Sequence, residues 1–180
     1  MKLIHSNLLA FAILAGASAP ASAHVVLENG MSSWGSYYKA VFQVPHGCDG
    51  AATTGISIEI PEGVISIKPM EKQGWKLITR SGKYAGSYTV HGKTVAEGIR
   101  QVTWEGGSIA DDRYDEFVFL AKLPEDEEIM RIFFPVTQTC GKTETRWEQI
   151  PQPGSQEKLK YPAPALDLMT PHTGMEGHHH

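Results

Sequence analysis

His24 is the residue of this chain best placed to do chemistry. It stands directly behind Ala21-Ser22-Ala23, and upstream of that lie a positive charge at Lys2 and an apolar run from Leu8 to Ala15. The run is too short to span a bilayer, and Ala21 and Ala23 put small side chains where a signal peptidase reads, so residues 1–23 are expected to be a cleaved secretory leader. Cleavage would make His24 the amino terminus. A histidine in that position carries two nitrogen donors, its free amine and its imidazole Nδ1, which together can chelate one metal ion. Two nitrogens with carboxylate oxygens in support form a small N,O ligand set suited to Cu(II), the ion at the top of the divalent affinity order. The competing reading is that His24 merely marks the end of the leader, and spacing alone does not separate the two.

The other residue types that bind metals are less well placed. Cys48 and Cys140 stand far apart and alone, whereas a structural metal site needs close ligand pairs. In an oxidising compartment they are expected to form one disulfide, worth on the order of 4 kcal/mol in the chain-entropy model; a reactive thiol or two copper thiolates are the alternatives. His46 and His91 each neighbour a glycine and read as surface turn residues, and His172 reads as tail. The run Glu125 to Glu128 reads as a solvated loop. Met31, Met70, Met130 and Met169 are too scattered for a methionine-rich Cu(I) site. Glu28, about 13 Å from His24 along an extended strand, joins its site only if the strand bends.

Short β-rich runs between turn residues must position these groups: 24–28, 36–44, 54–60, 75–80, 87–90, 99–104, 116–122, 129–134 and 143–150. Tyr38, Ala40, Phe42 and Val44 alternate with period two, as do Ile56, Ile58, Ile60 and Phe117, Phe119, Ala121, Leu123, the pattern of strands with one buried face. No long helical period appears. Turn signals at Pro45-His46-Gly47, Pro61-Glu62-Gly63 and Gly106-Gly107 complete the pattern of an all-β, immunoglobulin-like antiparallel β-sandwich of seven to ten strands in a single domain. The sandwich is expected over 24–150, followed by a Pro-rich extended C-terminal tail over 151–175 that lies over the sandwich or trails from it. Residues 176–180 look like the remnant of an expression tag and are set aside with the leader.

The chain of 180 residues has 16 basic and 20 acidic residues, for a net charge of −4. No stretch concentrates Lys and Arg, which argues against nucleic-acid binding. No later apolar run approaches the ~20 residues of a transmembrane helix, so no membrane anchor is expected in the mature chain. No serine, cysteine or paired-carboxylate constellation points to hydrolysis.

The motifs His24-Val25-Val26-Leu27-Glu28, Val44-Pro45-His46-Gly47-Cys48 and Gly74-Trp75 resemble those of the YcnI-like family of exported copper-binding domains. The likeness continues through Val102-Thr103-Trp104-Glu105-Gly106-Gly107, the segments 111–117 and 134–140, Arg146-Trp147 and Ala163-Pro164, covering nearly the whole mature chain. The resemblance implies an immunoglobulin-like sandwich with Cu(II) on a mature amino-terminal histidine, a single-histidine brace, supported by a carboxylate. His24 matches the brace histidine. Asp111 and Asp112 fall where the family places its carboxylate, and which of them ligates is open. Trp147 matches a tryptophan beside the site, where it would shield the metal or tune its redox behaviour; the other reading is a core tryptophan. Family members resemble parts of bacterial copper uptake or homeostasis systems acting beside copper chaperones and copper-transporting membrane proteins.

Three functions follow as expectations. The first is a periplasmic or secreted copper carrier or sensor and not an enzyme. The second is a sandwich interaction module without metal, and the third a copper oxidase using the same site. A lone histidine favours the carrier over the oxidase.

Overall fold

The structure is a computed structural model, described over residues 24–170; the leader, His172 and the tag remnant lie outside the described residues. Twelve strands form: β1 (Val26–Leu27), β2 (Met31–Ser33), β3 (Tyr37–Val44), β4 (Thr53–Glu59), β5 (Ile65–Pro69), β6 (Lys76–Val90), β7 (Lys93–Ile109), β8 (Asp115–Lys122), β9 (Arg131–Phe133), β10 (Val136–Cys140), β11 (Thr143–Trp147) and β12 (Ala165–Met169). There is no helix among the described residues, and therefore none long and apolar enough to cross a membrane. The all-β expectation holds, with more strands than the runs of alternation revealed.

The strands build a four-stranded sheet, β1-β3-β8-β5, and a five-stranded sheet, β11-β10-β4-β7-β6; a smaller sheet, β2-β12-β9, completes the set. Alternation dictates the layering. Ala40, Phe42, Phe117 and Phe119 point inward from β3 and β8, while Ile56, Ile58, Val102 and Trp104 point inward from β4 and β7. Trp104 and Phe117 meet across the two layers at 5.4 Å between ring centroids. Phe134, between β9 and β10, meets Phe42 edge-on at 5.6 Å. Rings in such tilted and edge contacts add about 0.5–1.5 kcal/mol per pair beyond the area they bury.

Three features depart from the expected pattern. The folded part extends past the expected boundary at Ile150, because β12 lies in the Pro-rich segment and places Leu166 and Leu168 in the core. Its alternation spans only five residues. β12 also pairs parallel to β2, with Asp167 opposite Met31, while the other strand pairs among the described residues are antiparallel. The runs 75–80 and 87–90 belong to one long strand, β6, whose register against β7 breaks at Arg80/Ser81 and Lys83/Tyr88. Those breaks and the glycines Gly82 and Gly86 interrupt the apolar period.

Candidate functional site

His24 leads into β1, a two-residue strand pinned to β3 by the pairs Val26 with Gln43 and Leu27 with Phe42. Val25 and Leu27 are buried on the core side, so the chain entering β1 is held from within and His24 stays half-buried at the edge of the sandwich. Its imidazole lies against the indole of Trp147, with ring centroids 5.6 Å apart and an interplanar angle of 57°. Trp147 ends β11 and is both a core residue and the neighbour of His24.

What holds Trp147 in place is Gln138, a side chain only 1% exposed in the middle of β10. Its Oε1 accepts the indole Nε1–H at 3.0 Å. Its Nε2 donates to the backbone carbonyl of His46 at 2.8 Å and to Thr53 Oγ1 at 2.7 Å. A buried amide that meets partners at both ends in this way fixes three neighbours at once, and removing it would strand them in a low-dielectric interior. Sequence reasoning missed Gln138; the only signal was a polar residue at an inward position of the run Val136-Thr137-Gln138-Thr139-Cys140.

The carbonyl of His46 belongs to a loop that carries the site further. Cys48 and Ala51 exchange backbone hydrogen bonds of 3.0 and 2.9 Å around Asp49 and Gly50, which both have positive φ. Asp-Gly suits such a tight hairpin turn. A Cβ on Gly47 would lie 1.9 Å from the Ala51 carbonyl oxygen and 3.0 Å from Asp111 Oδ1. Gly47 is thus required by close approach, and that approach puts the carboxylate of Asp111 beside the loop. The His46 ring turns its Nδ1 to the carbonyl of Gly47. The disulfide between Cys48 and Cys140, with Cα atoms 5.9 Å apart, ties this loop to the end of β10.

A path of direct contacts therefore runs from His24 through Trp147, Gln138 and the His46-Gly47 loop to Asp111. Asp112, by contrast, is solvent-exposed and reaches back to Arg113 at 3.4 Å. Glu28 does not bend toward His24. Its backbone N–H donates to Val41 at 3.0 Å on the outer face of the four-stranded sheet, where its charge bears on Tyr114. His91 sits in the β6–β7 turn with Nε2 3.0 Å from the Tyr37 hydroxyl. Tyr161, which the sequence left in an undifferentiated tail, meets Trp147 edge-on at 5.6 Å.

Among the described residues no three or more His, Cys, Asp or Glu side chains converge into a metal cage. Apart from its imidazole, a brace draws its second nitrogen from a backbone amine, so it needs few side chains; the donors here fit such a set when His24 is the amino terminus.

Comparison with known proteins gives a consistent picture. The model of the family described as "Domain of unknown function (DUF1775)" matches residues 24–168; this is the family that the sequence motifs resemble. A crystal structure of an uncharacterized protein from Nocardia farcinica with an immunoglobulin-like fold is similar at a TM-score of 0.63 and 24% identity, covering 82% of this chain and 99% of that one. That likeness confirms the fold. A search of curated proteins finds no match to the chain.

Proposed function

Because the chain belongs to the DUF1775 family, we propose that it is an exported, periplasmic or secreted copper-binding protein that works in copper acquisition, trafficking or homeostasis. The observation that carries this reading is the placement of His24: an imidazole half-buried against Trp147, at the first position the presumed leader would release. The amine and Nδ1 of His24 would hold Cu(II), with Asp111 as the supporting carboxylate. Asp112 takes that role only by leaving Arg113. Bound copper would supply one-electron redox chemistry. The protein's own contribution is to orient the imidazole on the indole, screen one side of it from water, and keep the indole fixed through Gln138. Handover to copper chaperones or copper-transporting membrane proteins fits a site on the rim of the sandwich.

The reading is of a carrier and not an enzyme. A carrier holds its metal in a closed set, whereas an oxidase needs open coordination and usually a flat substrate face beside it. The discriminating measurement is oxygen consumption with ascorbate and copper, which a carrier leaves near the level of the buffer. A sandwich module without metal is the remaining alternative, and metal titration separates it.

Titration calorimetry tests the ligand set. Protein beginning at His24 is expected to bind one Cu(II), His24→Ala to lose most of that affinity, and Asp111→Asn to lose more than Asp112→Asn. Unchanged affinity in His24→Ala would overturn the assignment. Equal, small effects of the two asparagine variants would move the carboxylate's role to water.

A further inference from the structure

The outer face of the four-stranded sheet is unusually apolar. Of the nine large hydrophobic side chains exposed among the described residues, Val26, Tyr37, Met70 and Leu120 lie on this face and Tyr114 flanks it. The strand pairings lay the face out in rows. Val26, Gln43 and Glu116 form the first; Glu28, Val41, Val118 and Met70 the second; Lys39, Leu120 and Lys68 the third; Tyr37 and Lys122 the fourth. The first two rows carry the carboxylates Glu116 and Glu28, and the third carries Lys39 and Lys68; Lys122 in the fourth is largely buried and paired with Glu125. Burial first, then the hydrogen bond to Glu116 and the charges of Glu116 and Glu28, push the Tyr114 hydroxyl up to about 12.

A face that is acidic at one end, basic at the other and apolar between is complementary to its own image after a half-turn. An axis across the strands, between the second and third rows, would bring Glu28 of one copy close to Lys39 of the other and the exposed Leu120 over Val118, which is itself buried. Identical patches meeting in this way form an isologous two-fold interface, and sheets pack face to face with strands nearly aligned. We propose that the outer face of the four-stranded sheet is the surface through which two copies of this chain associate, antiparallel across that axis. A different partner would need to match both ends of this charge pattern; a second copy does so by symmetry alone.

β3 and β8 are eight residues long, β5 five and β1 two, so at ~4.8 Å by ~3.3 Å per residue the face covers about 360 Å² per copy, or about 700 Å² in total, the size of a weak, transient contact. The dimer should accordingly be weak and concentration-dependent. The His24 sites of the two copies fall at opposite ends of it, so the association is independent of the copper reading.

Sedimentation velocity over a concentration series of the metal-free protein tests the proposal. Glu28→Lys and Lys39→Glu, each alone, place like charges face to face and should weaken dimerisation at least about tenfold. The double variant exchanges the charges and should restore it to within about threefold. Unchanged melting temperatures would confirm that the variants fold. A protein that stays monomeric throughout the series would overturn the proposal and leave the face to a different partner. Dimerisation indifferent to the single reversals, or not restored in the double variant, would equally overturn it.

Discussion

The indole of Trp147 receives the imidazole of His24 and the phenol ring of Tyr161, each at a centroid distance of 5.6 Å. A paramagnetic ion bound at His24 would lie within quenching range of that indole. Cu(II) is therefore expected to quench part of the intrinsic fluorescence, and Trp147→Phe to abolish most of this quenching while changing affinity less than about fivefold, since the ring packs on the ligand without ligating. Fluorescence titration of the two proteins checks this. Quenching that survives in the variant would place the metal elsewhere.

The amide of Gln138 should matter more to stability than its position on a short strand implies. Gln138→Leu removes three hydrogen bonds, among them the one that the buried Trp147 indole N–H donates. The expected cost is about 2–4 kcal/mol in a urea unfolding experiment, the range for buried polar groups stranded by a single substitution. A loss below about 1 kcal/mol would mean that water replaces the amide.

The fold was legible where period-two alternation ran long enough, as in Tyr38 to Val44 and Phe117 to Leu123. It was illegible where the core was reached by brief segments: β2 and β12 are three and five residues long, and Pro162 and Pro164 disguise the approach to Leu166 and Leu168. The candidate site shows the same division. His24, Asp111 and Trp147 could be singled out by residue type, position and resemblance. Gln138 and Gly47 could not: the role of Gln138 comes from a segment roughly 90 residues away, the His46 carbonyl above all, and that of Gly47 from the close approach of Ala51 and Asp111. The difference between Asp111 and Asp112 likewise emerges only from which of them faces the Gly47 loop.

Acid stability should depend on Glu62. Its own burial opposes ionisation, but the Tyr88 hydroxyl, the Ala85 N–H and the charge of Arg100 outweigh it and hold the carboxyl below its ordinary value. A carboxyl with a lowered folded-state pKa adds stability that is complete above the ordinary carboxylate range and is lost as pH falls through the folded value. The gap in melting temperature between the unmodified protein and Glu62→Gln is thus expected to narrow as pH drops from about 7 to about 3. A gap that stays constant with pH would show that hydrogen bonding, and not charge, is what Glu62 contributes.

The proposed site has His24 holding Cu(II) through its own amine and imidazole, and the most direct test is to block the amine. Cu(II) affinity should be measured by calorimetry, in a buffer that does not bind copper, for protein beginning at His24 and for the same protein with its His24 amine acetylated. Both donors must shed their protons to ligate, so proton release should accompany binding on the acidic side of neutrality. Acetylation is expected to weaken binding by about a hundredfold or more, since it removes one of the two nitrogen ligands. Equal affinity in the two proteins would contradict it.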